Sequence, residues 1–172
     1  MEISPESARD AIARLSLMMR HILEQGGIRF VPLDSEIGFL RDYISLMQLR
    51  YTSSLEVRAE FPDESVTRAV SVPPMLFISL VENAFKHGAS SRVPSSIGIR
   101  MTVDGASLTL DVSNTLLPRK LRSSVPSHGV GITNLCRRLE MLYPGSFTFS
   151  CGEREYESLY RATLTIPCNT SL

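Results

Sequence analysis

PPMLFISLVENAFKHG, Pro73 to Gly88, is the stretch that decides how this chain reads. Two prolines stand where a helix could begin, and Met75, Ile78, Leu80, Val81 and Phe85 make most of that predicted helix apolar, so its natural place is against a sheet. Three polar residues interrupt it near its end. Asn83, Lys86 and His87 fall at i, i+3 and i+4 and so share one face of the helix. A buried helix with an amide, an ammonium and an imidazole on one face needs partners for them, since each would otherwise cost a few kcal/mol. Two readings stay open from this helix alone. Neighbouring backbone and solvent satisfy the three groups, with Lys86 and His87 suited to the negative end of the helix dipole, or a ligand does.

A second stretch, SHGVGITNLCRRLEMLYPG from Ser127 to Gly145, bears on that choice. A glycine pair opens an amphipathic helix, an arrangement that lets backbone N–H groups approach an anion. Together the two stretches point to a phosphate, held between the central helix and the loop before the second one.

The rest of the composition bounds the possibilities. The 172 residues suffice for one domain with a sizeable core. Eighteen basic and eighteen acidic residues cancel, so no overall field recruits nucleic acid or an anionic membrane. Cys136, Cys151 and Cys168 are too far apart in sequence for a CxxC metal or redox pair and read as reduced thiols of a cytosolic compartment. Asn169-Thr170-Ser171 fits a glycosylation sequon and is read as chance. No apolar run reaches the roughly 18 residues of a membrane span, and no signal-peptide pattern opens the chain, so a soluble piece is expected.

Taken in order, Ser4-Pro5-Glu6 is a helix start, with serine as N-cap and proline at the first helical position. Ala8, Ala11, Ile12, Leu15, Met18, Met19, Ile22 and Leu23 then recur at helical steps up to Gly26-Gly27. That stripe forms a heptad seam, read either as a helix packed on its own domain or as part of a coiled coil completed by a second chain. Leu33, Ile37, Leu40, Ile44, Met47 and Tyr51 predict a second helix, with Asp34 as its cap. Leu55, Val57, Ala59 and Phe61 alternate as a strand, Pro62 to Ser65 turn, and Arg68 to Val72 run extended into the central helix. Ser90 to Ser96 read as a polar loop. Ile97 to Val103 and Leu108 to Val112 form a hairpin around Asp104-Gly105. Thr115 to His128 is a basic loop without periodicity, long enough to suggest a lid. A helix over Gly129 to Tyr143 and two closing strands, Phe147 to Cys151 and Leu159 to Ile166, complete a two-layer α/β sandwich.

With these residues in hand, the chain resembles the ATP-binding domain of a sensor histidine kinase, the Bergerat fold shared with the GHKL ATPases. Within that family it is most similar to the LytS-like group. LSLMMRHIL, VPLDSEIGFLRDYISLMQLRY, LVENAFKHG and GVGITNLCRRLEMLYPG each look like that group's pattern, in its order and spacing, over nearly the whole chain. The resemblance implies a mixed, mainly antiparallel sheet with helices on one face, preceded by a dimerisation-type helix. It divides the chain into 1–27, the C-terminal part of a dimerisation and phosphoacceptor region, and 28–172, the catalytic domain. It implies ATP and Mg2+ as cofactors, with Asn83 coordinating the metal and Lys86 and His87 reaching the phosphates. Asn114, Gly129, Gly131, Ile132 and Asn134 would bind the nucleotide, and Thr115 to His128 would be the lid, with Arg119, Lys120 and Arg122 screening phosphate charge. Its partners would be a response regulator of the LytTR type and a second copy in the full-length protein, with no nucleic acid, and with a membrane only through other parts of a cytoplasmically exposed sensor.

Two departures qualify the resemblance. Many histidine kinases carry Asp-x-Gly at the adenine site; this chain has Asn114-Thr115-Leu116, which offers a neutral acceptor and no glycine. The family's phosphoacceptor lies in a segment like NPHFLFN, and nothing like it is present; His21, in the context MMRHIL, is not read as the acceptor. Phosphoryl transfer from ATP to a histidine carried elsewhere is the implied activity, without autophosphorylation by this chain alone. Ser79 stands where gyrase-like relatives have a water-activating glutamate, so hydrolysis should be slow. The alternative is a degenerate Bergerat domain that docks or dimerises without using ATP. A Ser/Thr anti-sigma-type kinase of the same fold ranks last, since it lacks the heptad helix followed by LDSEIGFLRDYISL.

Overall fold

The computed structural model describes residues 5–24, 27–51, 54–118 and 130–170. Helix α1, Pro5–Glu24, begins on its proline and is followed by the two-residue strand β1, Val31–Pro32, and helix α2, Leu33–Arg50. Strand β2, Leu55–Glu60, the single helical turn α3, Glu64–Thr67, and strand β3, Val70–Val72, lead to helix α4, Ile78–Gly88. Strands β4, Ser95–Asp104, and β5, Ser107–Thr115, precede helix α5, Val130–Leu142. Strands β6, Thr148–Arg154, β7, Leu159–Pro167, and β8, Asn169–Thr170, end the described chain.

The main sheet has the order β2-β4-β5-β7-β6. Only β2 runs parallel to its neighbour, β4; the other pairs are antiparallel, so the sheet is mixed and mainly antiparallel, as expected. Alternation sets its two faces. Ile97, Ile99 and Met101 of β4, Leu108, Leu110 and Val112 of β5, and Ala162, Leu164 and Ile166 of β7 point inward and are buried. Register stacks them, with Ile99 opposite Val112, Met101 opposite Leu110 and Leu110 opposite Leu164. The core they form is shared with Leu33, Ile37 and Leu40 of α2, Leu80, Val81 and Phe85 of α4, and Leu135 and Leu139 of α5. One layer of helices thus covers one face of the sheet. Each fully buried Leu, Ile or Phe contributes about 1.5–3 kcal/mol relative to exposure.

Several local expectations are corrected. The central helix begins at Ile78 rather than at the prolines, because Met75 has φ +54, which no right-handed helix accepts. Pro73 and Pro74 are buried in the segment leading into that turn. Asp34 is not a cap: Pro32 holds the N-cap position of α2, and Asp34 lies in the first turn beside Glu36. The β4–β5 turn is Gly105-Ala106, since Asp104 still pairs with Ser107. Gly105, with φ +56, takes the left-handed first position of the turn. Extended structure begins at Ser95, inside the segment read as a loop. A small second sheet, β1-β3-β8, pairs strands of two or three residues that are too short to show periodicity.

Helix α1 divides its own stripe. Met18 is buried toward α2, and Arg14 reaches Asp42 of α2 at 3.2 Å. Ile12, Leu15, Met19, Ile22 and Leu23 stay exposed. One face of the helix thus packs on the domain, as the first reading expects, and the exposed apolar residues lie about 100° further round. Among the described residues no helix is long and apolar enough to cross a membrane.

Candidate nucleotide-binding site

Helix α4 carries its apolar residues into the core, and its remaining face is the one the motif predicted. Leu80, Val81, Ala84, Phe85 and Gly88 are buried, whereas Asn83 and His87 are half-buried and Lys86 is exposed at the last turn. Glu82 is exposed, one position round from Asn83.

Helices α4 and α5 meet as an antiparallel pair. Near the start of α5, a Cβ built on Gly131 would lie 4.0 Å from Asn83 Nδ2, so bare glycine backbone faces the asparagine amide. Toward the other end of α5, Arg138 reaches the turn that precedes α4. Ile132 is half-buried, and Asn134 is exposed on α5 three residues beyond Gly131, above the buried Leu135. Gly129, Arg119, Lys120, Arg122 and most of the expected lid lie outside the described residues.

Asn114 closes the other side of α4. It is the last member of the inward row Leu108, Leu110, Val112, Asn114 on β5, a polar residue where the pattern calls for an apolar one, and it is 3 % exposed. Its Nδ2 donates to Thr115 O at 3.0 Å. A Cβ on Gly88 would fall 2.3 Å from Asn114 Cβ and 2.5 Å from Nδ2, so the last residue of the LVENAFKHG motif is what makes room for this amide. The Leu116 N–H donates to Ser158 O at 2.9 Å, prolonging the β5–β7 edge where the family's glycine would stand.

The structure therefore brings Asn83 to Gly131 and Asn114 to Gly88, with Lys86 and His87 on the helix between them. Asn83, an exposed lysine and open glycine backbone fit a Mg2+–phosphate group. Among the described residues no cluster of three or more His, Cys, Asp or Glu could hold a metal by itself. Mg2+ characteristically keeps few protein ligands and shares its shell with phosphates and water, so one amide oxygen suits it. The buried Asn114 amide beside Gly88 carries a donor and an acceptor of the kind a purine edge pairs with.

Sequence reasoning missed one charged residue that the structure places at the foundation of α4. Glu36 is 0 % exposed, and its Oε1 accepts the Met75 N–H at 2.8 Å. His21 Nε2 approaches the same oxygen at 3.6 Å, and the His21 ring stacks on Phe39 with centroids 4.7 Å apart. Burial pushes the Glu36 carboxyl above its ordinary value, and the Met75 hydrogen bond and His21 pull it the other way. The signal was present: Glu36 falls on the stripe Leu33, Ile37, Leu40, Ile44, where a carboxylate is out of place. His21 is thus held against α2 by Glu36 and Phe39.

Comparison with known proteins gives concordant findings. A family model described as histidine kinase matches residues 1–55. The sensor histidine kinase/phosphatase LytS of Staphylococcus aureus, for example strain N315, is 36 % identical over 92 residues, which are 54 % of this chain and 15 % of LytS. The chain therefore spans only a small part of the relatives it matches. Among solved structures, the catalytic domain of histidine kinase ThkA superposes with a TM-score of 0.57 at 16 % identity, covering 83 % of this chain and 97 % of that one. ThkA in complex with the response regulator protein TrrA superposes with a TM-score of 0.51 at 15 % identity, covering 98 % of this chain and 53 % of that one. The chain has the fold of histidine kinase catalytic domains, and about half of it is similar in sequence to part of the sensor histidine kinase/phosphatase LytS.

Proposed function

We propose that residues 28–172 form the ATP-binding catalytic domain of a two-component sensor histidine kinase, and that residues 1–27 belong to its dimerisation region. The observation that carries this reading is the approach of Asn83 to Gly131 across the α4–α5 pair, with Lys86 exposed on the same face of α4. ATP with Mg2+, when bound, supplies the phosphoryl group and offsets its charge. Asn83 would ligate the metal, Lys86 and His87 would face the phosphates, and the Gly129 to Gly131 backbone with Ile132 and Asn134 would cradle the chain. The Asn114 amide would accept from the base. Holding and charge compensation are most of what phosphoryl transfer asks of a protein. The receiving imidazole comes from outside these 172 residues, for relay to a response regulator. Such a regulator is the partner seen in the ThkA–TrrA complex. A cytoplasmic location in a membrane-anchored, homodimeric parent follows from this reading, with a LytTR-type regulator as the partner.

Titration calorimetry with ATP and a non-hydrolysable analogue, with and without Mg2+, tests it on the wild type and Asn83→Ala. Mg-dependent binding that the substitution removes supports the kinase reading; silence at millimolar nucleotide overturns it for this chain. A second reading, a domain that docks without ATP, is favoured by Asn114, which replaces the expected carboxylate and ties one N–H to Thr115.

A further inference from the structure

The Pro74–Met75 peptide lies at the foot of α4, and two charged side chains from different helices hold it. On one side, the Met75 N–H donates to the fully buried Glu36 carboxylate of α2 at 2.8 Å. On the other, Arg138 of α5 donates from Nη2 to Pro74 O at 2.7 Å and from Nη1 to Met75 O at 3.5 Å. The planar guanidinium fork suits two neighbouring carbonyls as a single-point ammonium cannot. Met75 has φ +54, so this turn adopts a backbone that its own sequence does not favour and that the two flanking groups fix.

Placement gives this clamp a consequence. Because α4 and α5 run antiparallel, Arg138 ties the beginning of α4 to the later turns of α5, while Asn83 and Gly131 face each other toward the opposite ends. The two contacts lie about two helical turns apart along one helix pair. Sliding or tilting α4 against α5 would change both together.

We infer that Arg138 is a positioning residue for the Mg2+–phosphate site: by clamping the Pro74–Met75 peptide against Glu36 it sets the distance between Asn83 and the Gly131 backbone. It does not touch nucleotide itself. This inference rests on the proposed nucleotide-binding reading and adds to it a residue to which the resemblance assigned no role.

The test compares the wild type with Arg138→Gln and Arg138→Lys in the whole chain, titrated with an ATP analogue with and without Mg2+. Misplacing Asn83 by a fraction of an ångström should weaken Mg-dependent binding of the analogue about tenfold in Arg138→Gln, with Mg-free binding changed by less than about twofold. Arg138→Lys, which keeps the charge but reaches one carbonyl, should fall between the two. It also carries the test if the glutamine variant does not fold. Equal losses with and without Mg2+, or no loss in either, overturn the inference. Failure of the wild type to bind at all overturns the nucleotide reading instead. Nucleotide-free NMR then decides the positioning: the Asn83 side-chain amide and Gly131 backbone amide should both shift in Arg138→Gln, and unchanged resonances overturn it.

Discussion

Gly88 and Asn114 occupy one space: the side chain that glycine lacks is replaced by the asparagine side chain, whose Cβ, Nδ2 and Cγ would lie 2.3–2.6 Å from a Cβ added at Gly88. Replacing Gly88 by alanine must therefore displace Asn114 or the end of α4. The expected cost is about 1–3 kcal/mol of stability, the range for overpacking a filled interior. Thermal unfolding measures it, and a parallel loss of adenine-nucleotide affinity is expected because Asn114 moves. An unchanged melting temperature with unchanged affinity would show that the helix end is free to give way.

Asn114→Asp would restore the carboxylate of the Asp-x-Gly pattern, yet it is expected to destabilise the free protein. The Asn114 Nδ2 donates to Thr115 O, and a carboxylate in that place would set oxygen against oxygen in a position 3 % exposed. A cost of about 1–3 kcal/mol follows from a buried carbonyl left unpaired. Denaturant unfolding of both forms checks this. Equal stability would mean that the side chain rotates away from Thr115.

The pH dependence of Glu36 has a defined sign. Its carboxyl is raised above its ordinary value, chiefly by burial, so the folded state binds this proton more tightly than the unfolded chain. The stabilisation is complete below the unfolded value and is lost as pH rises through the folded one. Glu36→Gln removes that dependence and keeps an oxygen for the Met75 N–H. Melting temperatures recorded from pH 4 to pH 7 should show the variant gaining on the wild type as pH rises. A constant difference would contradict the assignment.

Tyr143 presents a different case. Its hydroxyl is buried without a hydrogen-bond partner among the described residues, and burial pushes its pKa up to about 12. Tyr143→Phe removes a polar group that makes no bond, so it should be neutral or stabilising by up to about 1 kcal/mol. A clear loss in urea unfolding would reveal an unseen partner. Phe85→Ala, at a fully buried position of α4, provides the contrast with an expected loss of about 3–5 kcal/mol.

The exposed seam of α1 predicts an effect confined to assembly. Ile12, Leu15, Met19 and Ile22 step by three and four residues along a face that α2 does not cover. Leu15→Glu should leave the unfolding free energy of this chain within about 0.5 kcal/mol of the wild type, as for surface substitutions generally. In a longer protein containing the acceptor helix, it should shift sedimentation from dimer to monomer. A dimer that persists would move the seam's role elsewhere.

Much of this protein is settled by its sequence alone. Strand alternation on β4, β5 and β7, helical steps on α1, α2 and α5, and the order of the LVENAFKHG and GVGITN stretches identify the layers and the helices of the candidate site, because periodicity is a local property. The features only the tertiary structure decided are those in which distant residues share one space or one peptide. The start of α4 moved to Ile78 because Met75 is held at φ +54 between Glu36 and Arg138, residues 39 and 63 positions away from it. That Asn114 fills the space Gly88 leaves open emerges only when β5 and α4 are placed together. The seam of α1 and its buried face are a single stripe in sequence, and only the docking of α2 separates them. Local propensity fixes which element forms; close packing between elements fixes which atoms meet, and that is where the candidate site acquires its geometry.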